Sequence, residues 1–205
     1  MIRIIFILTA VALVATAQAK KVTIDGNVSP SQTTLYLIIN EDTANAQLLP
    51  IKDGKFSVTV NVERDAFIRL HDWKEWPERS VFVLIPDSRH ITIDWRTGSI
   101  KGSKQSQKLQ AACKQIRDAS PEGFHIDVFS EDPEAWHRAQ EQGNAIRSKM
   151  LEEQKAIAKK LLLENKDNII SAWITYCYPN LFEGELNAII NHMKPKWANH
   201  PILKK

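Results

Sequence analysis

The sequence predicts an α+β protein, an N-terminal antiparallel β-sandwich-like domain followed by a C-terminal helical domain with one long helix. Three observations predict it. From Lys21 to Lys101 apolar residues recur every second position in short runs separated by turn signals. After Gly102 the spacing changes to that of a helix. Asp132-Pro133-Glu134 then opens a periodic stretch of some 30 residues, roughly 45 Å if helical. The chain has 205 residues, 43% hydrophobic and 25% charged with a net charge of +3, and these proportions exclude a collagen, a disordered charged tail and a polytopic membrane protein. No run of five or more Lys or Arg occurs, so nucleic acid is not an expected partner.

Residues 1–19 read as a signal peptide. Arg3 supplies the positive charge, Ile4 to Ala15 is apolar apart from Thr9, and Ala17-Gln18-Ala19 matches a small-residue cleavage site before Lys20-Lys21. The competing reading is a membrane anchor, but a spanning helix needs about 20 apolar residues and this run has about a dozen. No Cys near the site offers a lipid attachment point, so the expected mature chain begins at Lys20 and is periplasmic or secreted, with no membrane anchor. Loss of Arg3 leaves it close to electrically neutral.

Residues 20–102 form the expected β domain. Phe56-Ser57-Val58-Thr59-Val60-Asn61-Val62 alternates strictly, one face buried and one wet. Asp53-Gly54, between Gln47 to Lys52 and Lys55 to Val62, predicts a type I′ hairpin, whose two central residues need positive φ. Thr34 to Ile39, Ala66 to His71, Ser80 to Ile85 and His90 to Trp95 are further strands, with Lys21 to Val28 and Ser99 to Lys101 weaker ones. Val81-Phe82-Val83-Leu84-Ile85 is apolar on both faces and is expected at the centre of a sheet.

Residues 103–205 form the expected helical domain. Ser103 caps a helix whose Leu109, Ala112, Cys113 and Ile116 share a face. Ala119 to Glu131 reads as a loop. Asp132-Pro133-Glu134 starts the long helix, with a side-chain cap, a proline in the first turn and an acid favoured by the helix dipole. Trp136, Ala139, Gly143, Ile146, Met150, Ile157 and Leu161 form one stripe of 3-4 spacing, interrupted near Glu153, and a helix this long is expected to pack along a second long surface. Asn168 to Tyr178 and Glu183 to Met193 are further helices, stopped by Pro179 and Pro195.

The order of these features resembles a known family. Ile51-Lys52-Asp53-Gly54-Lys55-Phe56, then Ile100-Lys101-Gly102-Ser103 before a helix, a long charged helix, Glu164-Asn165 to Ala172 and a terminal His200-Pro201 are similar to the DUF4369 domain, over most of residues 20–205. The resemblance implies a bacterial-envelope protein carrying a domain of undefined molecular role, usually found ahead of a thioredoxin-like domain of the thiol-disulfide interchange type. This sequence departs from that architecture: it contains no C-x-x-C and no thioredoxin domain follows His200-Pro201, so no catalytic residue carries over.

The residues themselves supply few candidates for chemistry. Cys113 and Cys177 both fall on apolar helical faces, and three readings stand: inert core thiols, a structural disulfide, or a redox pair. His125, Asp127 and His137 match no zinc spacing, so no metal or other cofactor is expected. His71-Asp72 would form an acid–imidazole dyad only if the strand ends there. No nucleophile elbow, P-loop, H-E-x-x-H or Gly-rich dinucleotide turn is present, and no enzymatic activity is expected. Trp73 and Trp76, in a charged connection followed by Pro77, are the candidate partner-binding residues, either exposed to an envelope protein or glycan or tucked under their own loop. The expected function is an exported, non-catalytic binding or scaffolding module; the alternative is envelope thiol-disulfide chemistry, through Cys113 and Cys177 or by docking a thioredoxin-like protein.

Overall fold

The computed structural model describes residues 19–28, 32–72, 82–121 and 132–204. The protein is α+β, two four-stranded sheets followed by helices. Strands β1 (Lys20–Asn27), β4 (Lys55–Val62), β7 (His90–Asp94) and β8 (Ser99–Lys101) make one sheet in the order β4-β1-β7-β8; β2 (Tyr36–Ile39), β3 (Gln47–Leu48), β5 (Ile68–His71) and β6 (Phe82–Leu84) make the other in the order β3-β2-β5-β6. The strict alternation of β4 is realised as alternating exposed and buried residues, so Phe56, Val58, Val60 and Val62 enter the space between the sheets. They meet Val22 and Ile24 of β1, Ile91 and Ile93 of β7, and Leu37, Ile68, Leu70, Phe82 and Leu84 of the second sheet. All neighbouring strands are antiparallel except β1 and β7, which are parallel.

Asp53 and Gly54 have φ of 53° and 69°, and Lys52 and Lys55 exchange backbone hydrogen bonds of 2.9 and 3.0 Å, so the predicted turn forms. The hairpin beyond it does not. Lys52 and Lys55 make a single bridge; Gln47–Leu48 pairs with β2 in the second sheet, while β4 pairs along its whole length with β1 in the first. Leu49 and Ile51, between β3 and the turn, drop into the sandwich core and carry the chain from one sheet to the other. A tight turn fixes chain reversal, but burial chooses the partner strand.

Val81 to Ile85 is also expected at a sheet centre; Val81 lies outside the described residues, and β6 is instead the last strand of its sheet among them. Its apolar character on both faces has a different cause. Phe82 and Leu84 face the sandwich core, whereas Val83 and Ile85 face the helices. Helix α1 (Lys104–Asp118) lies against this strand.

Ser103 caps α1, accepting the Ser106 N–H at 3.0 Å, and Leu109, Ala112 and Ile116 are buried as predicted. Helix α2 spans Pro133–Glu164, with Asp132 accepting the Glu134 N–H at 3.0 Å. Helix α3 (Ile169–Cys177) is almost wholly buried, followed by α4 (Leu186–His192) and a short α5 (Pro195–Ala198), which Pro195 starts in its first turn. The helices enclose a second core that borrows Phe67, Val83 and Ile85 from the β half. The two halves therefore meet over the outer face of the β3-β2-β5-β6 sheet.

The long helix packs differently from expectation. Its buried residues are Gln154, Ala158, Leu161 and Leu162, all in the C-terminal third, where the Gln154 side chain donates to the Ile116 carbonyl at 3.1 Å. From Pro133 to Glu153 no residue is buried, and Trp136, Ile146 and Leu151 are 42%, 45% and 42% exposed. The predicted stripe exists, but its N-terminal two thirds run free of the described body for about 31 Å. Among the described residues no helix is long and apolar enough to cross a membrane.

Candidate functional site

The most chemically loaded position lies under the helices, on the outer face of β5. Ile68 and Leu70 belong to the sandwich core, so the alternate residues Phe67, Arg69 and His71 point the opposite way, Phe67 into the helical core and Arg69 toward the end of α3. Arg69 is 1% exposed and His71 0%. A buried guanidinium demands a carboxylate, because taking an isolated charge out of water costs several kcal/mol or more. Glu41 supplies it, with Arg69 Nε 2.9 Å from Glu41 Oε1 and the two side chains 2% and 6% exposed.

The turn after β2 delivers that carboxylate. Asn40 and Glu41 have φ of 48° and 59°, a left-handed pair that turns the chain back. Asn40 holds the turn against β5, its Oδ1 accepting the Phe67 N–H at 2.8 Å and its own N–H donating to the Phe67 carbonyl at 2.8 Å. Nothing in the sequence marked this pair; the signals available were the Asn-Glu turn after a strand and a charged residue inside an otherwise apolar one.

Above the ion pair lie the residues at the end of α3. Burial pushes the Tyr176 hydroxyl upward, and the nearby Glu41 carboxylate adds to it while Arg69 opposes. Burial raises the Cys113 thiol to about 11, against a smaller lowering by Arg117 and by hydrogen bonds from Tyr178 and Trp173. Tyr178 is raised further still, first by burial and then by the two thiols. Cys113 and Cys177 are both free, Cys113 half-buried and Cys177 exposed. The expectation that both face a core therefore holds only in part, because α3 ends at Cys177 and its last turn emerges beside Pro179. Burial and the neighbouring Cys113 also raise the Cys177 thiol, but its exposure governs its access to reagents.

Two further contacts close the cluster. Trp173 meets Phe67 with ring centroids 4.8 Å apart, and His200 meets Phe67 at 5.3 Å. His200 Nε2 donates to the Asp65 carbonyl at 2.7 Å, while its Nδ1 accepts the Ile202 N–H at 3.3 Å, which fixes the tautomer. The terminal His200-Pro201 thus ties the end of the chain back to the β half. At the other seam, Ser103 and Ser106 hydroxyls lie 2.5 Å apart and Ser106 accepts the Ile85 N–H at 2.8 Å, joining the start of α1 to the end of β6.

No protein-family model, no curated protein and no solved structure matches this chain.

Elsewhere, Ser57, Asp25 and His90 meet on the outer face of the first sheet. His90 Nε2 is 2.5 Å from Asp25 Oδ2, and Asp25 is held below its ordinary carboxylate range, first by a hydrogen bond from Ser57 and then by His90. These are the residue types of a hydrolase triad in the wrong order. Asp25 on β1 sits between Ser57 on β4 and His90 on β7, so the carboxylate separates hydroxyl from imidazole, whereas in a triad the imidazole bridges the other two.

His71 ends its strand, which is the condition for pairing with Asp72, and its Nδ1 is 3.5 Å from Asp72 Oδ1. A polar cleft of ≈ 920 Å³ at the start of β1 is lined by Lys20, Lys21, Arg64, Asp65, Asp87 and Arg89, with Asp65 paired to Lys196 at 2.5 Å and Asp87 accepting the Gln105 N–H at 2.9 Å. Trp73, Trp76, His125 and Asp127 lie outside the described residues. His137 is exposed beside Trp136, and among the described residues no group of three His, Cys, Asp or Glu could hold a metal ion.

Proposed function

We propose that the chain is an exported, non-catalytic binding or scaffolding module of the bacterial envelope, related in role to the accessory domain that its element order resembles. The observation that carries the binding reading is the free two thirds of α2, which holds Trp136 and Ile146 on a stripe of 3-4 spacing outside both cores. A helix that has left its own core gains nothing for folding from those side chains, and large exposed apolar residues at regular helical spacing suit a partner helix. Export rests on residues 1–19, with Lys20 opening β1 as the start of the mature chain. Trp73 and Trp76 are a second proposed contact, for an envelope protein or glycan.

The test is capture from native envelope extract by the mature chain and by an Ile146→Glu variant, with captured proteins identified by mass spectrometry. A partner retained by the parent and lost by the variant supports the reading. Equal capture by both removes α2 from it, and N-terminal sequencing that finds Met1 intact in the native host removes export.

The redox alternative has one observation in its favour. Cys113 and Cys177, from α1 and α3, lie close enough that ionising one would raise the other. The raised thiols count against it, since an attacking cysteine works as the thiolate. Trapping a mixed disulfide between Cys177 and an envelope thioredoxin-like protein would restore that reading.

A further inference from the structure

We propose that the free part of α2 is the interface of an antiparallel homodimer, in which the helix pairs with the same helix of a second copy. The proposal rests on the binding reading of α2 and names its partner.

The stripe Trp136, Ala139, Gly143, Ile146, Met150 keeps strict alternation of three and four residues, the narrow seam of a two-stranded coiled coil and not the broad face of a helix on a globular core. The packed side overlaps this line in part: at ~100° per residue Leu161 lies about 20° from Met150, while buried Gln154, Ala158 and Leu162 lie progressively further round the helix.

The seam is complementary to itself when the second copy runs antiparallel. A two-fold axis between Asn144 and Ala145 sets Gly143 of one helix against Ile146 of the other, and Ala139 against Met150. Small side chains thus face large ones in four successive layers, the arrangement that interdigitates without voids. The same axis lies near the middle of the segment without buried residues, so the whole free part of α2 is used and each tip reaches the start of the partner's packed part.

The size is sufficient for a reversible dimer. Half the girth of a ~10 Å cylinder over ~31 Å is about 500 Å² per copy, or roughly 1,000 Å² in all, at the lower bound for a specific interface. The other described helices are too short to pair along such a length: α1 has 15 residues and is already packed against β6, and α3 has 9.

The experiment uses the mature chain. Sedimentation velocity from roughly 1 to 200 µM should show a concentration-dependent monomer–dimer exchange. Ile146→Glu should abolish it while leaving the thermal midpoint unchanged at concentrations where the parent is monomeric. Ala139→Cys/Met150→Cys should form a covalent dimer on mild oxidation, whereas each single variant and the parent, which carries Cys113 and Cys177, should not. The two introduced thiols are about 16 Å apart along one helix and cannot bond within a chain.

A chain that stays monomeric throughout, or a double variant that fails to cross-link, overturns the proposal. So does an Ile146→Glu variant that loses stability as a monomer, since the stripe would then be covered by its own chain. If the chain is monomeric but captures an envelope protein only when Ile146 is intact, the binding reading stands and the homodimer falls; if Ile146→Glu alters neither, both fall.

Discussion

Arg69 Nε lies 2.9 Å from Glu41 Oε1 beneath the helical half, both side chains almost wholly withdrawn from water. The pair sits where the two halves of the molecule meet, between β5 and the end of α3. Buried ion pairs contribute little net stability over apolar replacements, but breaking one is expensive. Glu41→Ala should therefore destabilise the fold by ~3–5 kcal/mol, and the double change Glu41→Leu/Arg69→Met by much less. Chemical denaturation of the two variants checks this; equal losses would mean that the pair is not coupled.

Gly102 supports the seam between β8 and α1. Its φ is 87°, and a Cβ there would fall 2.3 Å from the His90 carbonyl oxygen. Gly102→Ala is expected to cost at least about 1–3 kcal/mol from backbone conformation alone, before the clash is added. Ser106→Ala should cost ~1–3 kcal/mol, because it leaves the buried Ile85 N–H without its hydroxyl acceptor. Thermal midpoints of the two variants report both effects.

The thiols predict an alkaline loss of stability. Cys113 ionises near its ordinary pH 9 when unfolded but at about 11 when folded. Between those values the unfolded chain binds fewer protons, so stability falls as pH rises from about 9 and levels off above about 11. Cys113→Ala should flatten that limb relative to the parent. At pH 8 both thiols should alkylate slowly compared with the unfolded chain, because burial holds both above their ordinary range, with peptide mapping as the readout.

Acid pH acts through Asp25. Its folded-state carboxyl lies below the ordinary range because Ser57 and His90 stabilise the charged form. The stabilisation is present above the ordinary carboxylate pKa and is lost as pH falls through the lowered folded value. Asp25→Asn should shift the acid midpoint of unfolding only slightly, since the site is largely open to solvent, and an unchanged midpoint would show that the cluster is energetically idle.

The length of α2 that packs can be measured directly. Leu162→Ala, in the helical core, should cost ~2–5 kcal/mol. Ile146→Ala, four turns earlier, should stay within about 0.5 kcal/mol at protein concentrations where the chain is monomeric. A comparable loss at both positions would mean that the free stretch is part of the folded core.

The sequence by itself determined the elements. Alternation located β4, the Ser103 and Asp132 caps located the starts of α1 and α2, and Asp53-Gly54 located a turn, because each depends on residues within a few positions of one another. Only the tertiary structure decided partners. Leu49 and Ile51 had to enter the sandwich core, which sent Gln47–Leu48 to one sheet and β4 to the other across a turn that local chemistry reads as a hairpin. Residues 82–85 are apolar on both faces whether a strand or a helix covers the second one, and α1 covers it. The same stripe of 3-4 spacing runs through the buried and the free parts of α2, since periodicity marks a face but not what lies opposite. Glu41 and Arg69 are 28 positions apart, and their pairing required β2 and β5 to be neighbours before either charge could be buried. Short-range rules act along the chain, whereas burial is settled by the summed area of distant segments, and that sum exists only once the fold has closed.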